Sequence, residues 1–185
     1  MKRFIFLIMV SLFFLPAFQS CKRGENDPVI SLRSRNARIM AKWKLTNIEG
    51  TIVDHQAGNV INTTITFDGS LYTRTIVAGN NPPLVETKSG SYEMTIEKNG
   101  KMSWTQTSYI GGTTDVTTDE GNWYWRDSDK TKSFVNVDGG DIFFYAGLYK
   151  IDRLANKELV FIDEGNRADN GTTQNWHKII TFKKD

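Results

Sequence analysis

The 185-residue sequence has a single cysteine, Cys21, and two histidines, His55 and His177. One cysteine excludes an internal disulfide, so the fold must stand on its core alone. The histidines offer no His-x-His or His-Glu-x-x-His spacing, so the chain shows no metal motif. No Gly-x-Ser-x-Gly elbow is present. Gly111-Gly112 and Gly139-Gly140 lie in turn-rich stretches and do not precede helices, which removes a phosphate loop. Asp127 to Thr131 and Asp163 to Asn166 are rich in oxygen ligands. Neither has the full calcium-loop pattern, and both read as polar turns in loops. The expectation is a non-enzymatic protein without catalytic residues, metal or cofactor.

Long apolar runs are equally scarce. The one present is Phe4 to Leu15, interrupted by Ser11 and preceded by Lys2 and Arg3. Twelve residues rise about 18 Å as a helix, well short of the roughly 30 Å core of a bilayer. That layout is a removable export segment. It ends in Ser20-Cys21, a small residue just before a cysteine, which a lipoprotein signal peptidase reads. The expected organisation is therefore a cleaved signal peptide over 1–20, a lipidated tether and short helix over 21–40, and a β domain over 41–185. Acylation of Cys21 also consumes the only thiol nucleophile.

Net charge vanishes with the signal. The full chain carries 23 basic and 21 acidic side chains. Removing Lys2 and Arg3 leaves 21 of each, so the mature net charge is zero. From Lys22 to Lys42 six basic residues face two acidic ones, and from Trp43 onward 15 face 19. A globally basic nucleic-acid binder is excluded, and no nucleic-acid partner is expected. A basic stretch beside a lipid anchor suits anionic headgroups, and it equally suits a solvated tether.

Residues 22–30 are polar, with Gly24 and Pro28, and read as a flexible tether. Ser31 is a fair N-cap for a short helix from Leu32 to about Ala41, with Leu32, Ile39 and Met40 on one face. From Trp43 the pattern becomes strands: Val, Ile, Thr and aromatics, broken at short intervals by turn residues. The breaks are Asp54 to Asn59, Asp68-Gly69, Gly79 to Pro83, Asn99-Gly100 and Gly111-Gly112. They continue with Asp127 to Thr131, Asp138 to Asp141, Asn156-Lys157 and Gly165 to Gly171. Ile61, Thr63, Ile65 and Phe67 share one face, as do Tyr92, Met94 and Ile96, and again Met102, Trp104 and Gln106. Trp176, Ile180 and Phe182 repeat the pattern at the end. One buried and one wet face is the mark of an antiparallel sheet. Short connections make sequence neighbours spatial neighbours, and closure removes exposed edges. The expected fold is all-β: an antiparallel up-and-down β-barrel of eight to ten strands after a short N-terminal helix. A weak repeat pairs Gly90-Ser91-Tyr92 with Gly121-Asn122-Trp123 and reads as a repeated hairpin.

Several stretches together resemble the lipocalin-like lipoproteins of Gram-negative bacteria. They are Trp43-Lys44-Leu45, Thr66 to Tyr72, Gly90-Ser91-Tyr92, Gly121-Asn122-Trp123 and Tyr149 to Phe161. The similarity covers about Ala41 to Lys184. The chain has Ala41-Lys42-Trp43 where lipocalins proper carry Gly-x-Trp, and its last strand offers Lys178 and no Arg. The resemblance implies a calyx-like barrel, in some members holding a small apolar molecule.

Candidate ligand-binding residues of the barrel interior are Trp43, Tyr72, Arg74, Tyr92, Trp104, Trp123, Trp125 and Lys178. Two registers remain open on the third strand. Either Tyr72, Arg74 and Ile76 face inward, or Thr73, Thr75 and Val77 do. Trp123-Tyr124-Trp125 makes both sheet faces aromatic, so Tyr124, and likewise Tyr109, are candidate partner-binding residues. Three roles follow as expectations. The first is a membrane-anchored lipoprotein binding a small apolar or amphipathic ligand, on the periplasmic or outer surface of the outer membrane. The second is an accessory subunit that binds an outer-membrane protein partner. The third is glycan binding.

Overall fold

The computed structural model describes residues 27–28, 33–56, 58–126, 132–138, 146–169 and 171–184. Among the described residues one short helix, α1 (Arg35–Ile39), precedes ten strands. These are β1 (Lys42–Gln56), β2 (Asn59–Phe67), β3 (Leu71–Ala78), β4 (Leu84–Ile96), β5 (Lys101–Ile110), β6 (Thr113–Trp125), β7 (Phe134–Asp138), β8 (Gly147–Leu154), β9 (Glu158–Asp169) and β10 (Thr172–Lys184). Each pairs antiparallel with the next, and β10 pairs β1, so the sheet closes into a ten-stranded barrel. The all-β barrel read from the alternation is what forms.

The helix is shorter than the expected Leu32 to Ala41. Its N-cap is Ser34, whose Oγ accepts the Ala37 N–H at 3.2 Å. Ser31 and Leu32 lie outside the described residues. The sheet ends the helix. The Ala41 carbonyl accepts the Ile96 N–H at 2.9 Å, and the Trp43 indole donates to the Ile39 carbonyl at 2.7 Å. Both contacts claim backbone that a longer helix would need.

Turn chemistry matches the sequence at Asp68-Gly69 and Asn99-Gly100, where Gly69 and Gly100 take φ of 96° and 81°. Asp68 Oδ1 accepts the N–H groups of Ser70 and Leu71 and the Ser70 hydroxyl, at 2.8–2.9 Å. These bonds, Leu71 first, hold the Asp68 carboxyl below the usual carboxylate range. The expected break at Gly165 to Gly171 is much shorter. β9 runs on through Gly165 to Asp169, and Gly171 takes positive φ beyond it.

A bulge at Thr46 decides which side chains of β1 enter the barrel. It moves the inward set from Trp43 and Leu45 to Ile48, Gly50, Ile52 and Asp54, because one extra residue inverts the alternation. The repeat at Gly90 and Gly121 also has a structural cause. A Cβ at Gly90 would lie 2.1 Å from the Thr107 carbonyl oxygen, and one at Gly121 would lie 2.0 Å from that of Asp138. Both strands coil too tightly there for any side chain.

The core fills one end of the barrel, called here the closed end. Trp43, Phe67, Tyr92, Phe161 and Phe182 are fully buried, and Ile39 of α1 joins them from below. Removing each such side chain from water contributes about 1.5–3 kcal/mol. Lys184 lies over the Trp43 ring at 5.2 Å. Burial, then the nearby Arg33 charge, pushes its ammonium below the usual lysine value. The chain ahead of the barrel is pinned at this end. Asp27, fully buried, accepts the Leu154 N–H at 2.7 Å and an Arg35 N–H at 2.9 Å, with Arg38 at 3.6 Å. Arg38 also donates to the Leu154 carbonyl. The expected flexible tether is thus docked by residue 27. Two buried cations on one helix face share the Asp27 carboxylate.

Candidate functional site

Above the core the interior turns polar. Three inward positions of β10 set the change: Ile180 is buried, whereas Lys178 and Trp176 meet open space. Each of the two sits across from a glycine. A Cβ at Gly50 on β1 would fall 2.4 Å from Lys178 Cγ, and one at Gly165 on β9 would fall 2.4 Å from Trp176 Cζ2. The paired glycines make room on either side of β10 for a long cation and an indole lying along the wall. Asp163 holds both ends. Its Oδ1 accepts the Trp176 indole N–H at 2.7 Å, and its Oδ2 pairs with Lys178 Nζ at 2.5 Å. One strand turn higher, Gln174 donates to Asp54 at 2.6 Å. Arg167, on the same inward face of β9, pairs only loosely with Asp169 at 3.4 Å.

Asp163, Arg167, Gln174, Trp176 and Lys178 line a cavity of about 530 Å³ with Ile52 and Tyr149. It also touches Leu148 and Glu164, which point outward, so it passes through the barrel wall. The cause is in the pairing. The β8–β9 ladder runs only from Leu154↔Leu159 to Lys150↔Ile162, although β8 starts at Gly147 and β9 continues to Asp169. The two strands part above Lys150 and leave a lateral slot. A second cavity of about 390 Å³ shares Arg167 and Gln174 and reaches Asp169 at the rim. Both volumes lie in the usual range for small-ligand sites.

The sequence-derived residues divide between core and cavity. Trp43, Tyr92, Trp104 and Trp123 face inward but are packed in the core. Two of the indoles are spoken for: Trp43 donates to the Ile39 carbonyl and Trp123 donates to the Glu97 carbonyl at 2.8 Å. Trp125 is partly buried against the core, and its indole donates to Asn36 of α1 at 2.7 Å. Tyr72 packs against the core opposite Phe67. The open register on β3 resolves in favour of Tyr72, Arg74 and Ile76 inward, since directly opposite residues share a face and their partners are Phe67, Ile65 and Thr63. Arg74 pairs with Glu86 at 3.5 Å, away from the slot. Lys178 alone of the expected set lines the 530 Å³ cavity. Cys21 lies outside the described residues.

Sequence reasoning missed Asp163, Arg167, Gln174 and Asp54. Asp163 to Asn166 was expected in a loop, and it is strand. Successive side chains there alternate between faces, so they do not converge on one ion. Among the described residues no group of three His, Cys, Asp or Glu is placed to hold a metal. Asp127 to Thr131 lies outside the described residues. The readable clue to the site was the last strand: Gln174, Trp176 and Lys178 continue the inward period of Ile180 and Phe182.

The outer face carries two exposed apolar positions on neighbouring strands, Tyr109 at 54 % and Val116 at 58 % exposure. Tyr109 is opposite Thr114 and Val116 opposite Thr107, so the two are diagonal neighbours on β5 and β6. Tyr124 is exposed further along β6. No family model matches the chain, and no curated protein matches it in sequence.

Proposed function

We propose that this chain is a lipid-anchored, non-catalytic barrel that binds a small amphipathic molecule in the cavity above its core, at the outer membrane. The observation that carries the reading is the division of the interior. Ile52, Tyr149 and the Trp176 face offer apolar contact, and Lys178 and Arg167 offer cations within the same cavity. A molecule with an apolar body and an anionic or polar head fits that arrangement. The slot between β8 and β9 gives such a molecule a way in that leaves the packed core untouched. The Ser20-Cys21 site supports the anchor. Native mass spectrometry of the mature protein, incubated with a lipid extract, tests the reading. A retained mass that disappears in Trp176→Ala and Arg167→Ala is expected. No retained mass, or one indifferent to both substitutions, rejects it.

A second reading, an accessory subunit of an outer-membrane assembly, draws on the Tyr109–Val116 pair and Tyr124. Exposed apolar positions grouped on one sheet face mark contact surfaces more often than isolated ones do. Pull-down from detergent-solubilised membranes with wild type and Tyr109→Ser separates the two readings, since only the second expects a co-purifying protein lost in the variant.

A further inference from the structure

The two ends of the barrel differ in charge. At the closed end stand Arg33 ahead of α1 and Lys98, Arg126, Lys157, Lys183 and Lys184 in turns or at strand ends, all exposed except the half-buried Lys184. Among the described residues the acidic groups in the same tier are Asp68, Glu97, Asp152 and Glu158. At the open rim the balance reverses. Asp54, Glu86, Asp115 and Asp169 stand there, with Arg167 as the cation within two residues of a strand end. The described part of the molecule is therefore an electrostatic dipole along the barrel axis.

The second observation is the docking of Asp27. Its carboxylate is clamped by Arg35, Arg38 and the Leu154 N–H at the closed end. Six residue steps separate it from Cys21, and they span at most about 20 Å fully extended. A 13-residue strand such as β10 is about 43 Å long and, tilted by about 40°, stands about 33 Å high. A chain leaving the closed end cannot stand the barrel on its open rim at the surface that holds Cys21; it leaves a pose on the closed end or on the side.

We propose that the closed, basic end of the barrel rests on the anionic headgroups of the membrane that anchors it, with the cavity and its acidic rim directed away into the aqueous space. This rests on the anchor reading above. The tether limits the reach, and the dipole chooses the pose: basic groups approach the negative surface and acidic ones are repelled. Attraction of this kind decays over about 8–10 Å at ordinary salt, so only the end held near the surface feels it.

The full-length acylated protein, reconstituted in phosphatidylglycerol–phosphatidylcholine vesicles, tests the pose. Single cysteines are introduced by Asn156→Cys in the β8–β9 turn at the closed end and by Asn80→Cys in the β3–β4 turn at the open rim. Each is labelled with a fluorophore, the acylated Cys21 being inert. Headgroup-nitroxide lipid is expected to quench the Asn156→Cys label several-fold more than the Asn80→Cys label. The difference is expected to shrink in pure phosphatidylcholine or 0.5 M salt. Equal or reversed quenching in acylated protein overturns the pose and leaves the anchor standing. Intact mass is read first: an unacylated chain overturns the anchor and the pose with it.

Discussion

Replacing Gly165 by alanine puts the glycine–indole contact to a quantitative test. The added Cβ would stand 2.4, 2.8 and 3.0 Å from three atoms of the Trp176 ring. Carbon atoms rest about 3.5–4.0 Å apart, so the ring must retreat by about 1 Å. It is not free to do so. Its N–H is bonded to Asp163 at 2.7 Å, and Asp163 is paired with Lys178. Overpacking of this kind costs about 1–3 kcal/mol, and loss of the indole bond adds about 1 kcal/mol. Alanine in a strand returns about 0.5–1 kcal/mol relative to glycine. The net is about 1–3 kcal/mol, which in a domain of this size lowers the thermal midpoint by about 3–9 °C. Thermal unfolding followed by circular dichroism reads it. The decisive measurement is the double-mutant cycle with Trp176→Ala. With the indole gone, Gly165→Ala should cost nothing or stabilise slightly. An unchanged midpoint in the single variant, or the same loss in both backgrounds, would refute the packing argument.

Two further outcomes follow from the closed end. Asp27→Ala leaves the Arg35 and Arg38 guanidinium groups buried without their carboxylate, and a loss of about 3–5 kcal/mol is expected, read as a lowered urea midpoint. Asp68 makes a pH-dependent contribution. Its folded carboxyl is more acidic than in the unfolded chain, so its stabilisation is present above about pH 4 and is lost as pH falls through the folded value. Wild type and Asp68→Ala should therefore differ in midpoint at pH 6 and converge toward pH 2. A constant difference across that range would contradict the role given to Leu71 and Ser70.

The β-barrel was legible because its physical signature is local. Alternation with period two reports which residues are buried, and Gly69 and Gly100 mark turns that need positive φ. What escaped were features whose cause lies on another strand. Gly165 looks like a turn glycine in sequence, and only the facing Trp176 shows that it is a packing glycine. The Thr46 bulge inverts the faces of β1 without any compositional mark. Asp27 sits in a polar run typical of a tether, and its burial depends on two arginines three positions apart and on the end of β8. The aromatic residues expected to greet a ligand form the core for a related reason. Sequence tells inward from outward, and the height along the barrel that separates packing from cavity is set by shear.

The pairing of β1 with β10 has a kinetic consequence. Trp43 meets Lys184 and Gln56 meets Thr172, partners well over a hundred residues apart in the chain. Such contacts make folding slow, because the loop entropy is spent before the contacts repay it. Until β10 has been synthesised, one edge of β1 has no partner and the barrel cannot close. The chain therefore has an unclosed sheet, with one edge of β1 exposed, for as long as it is being made.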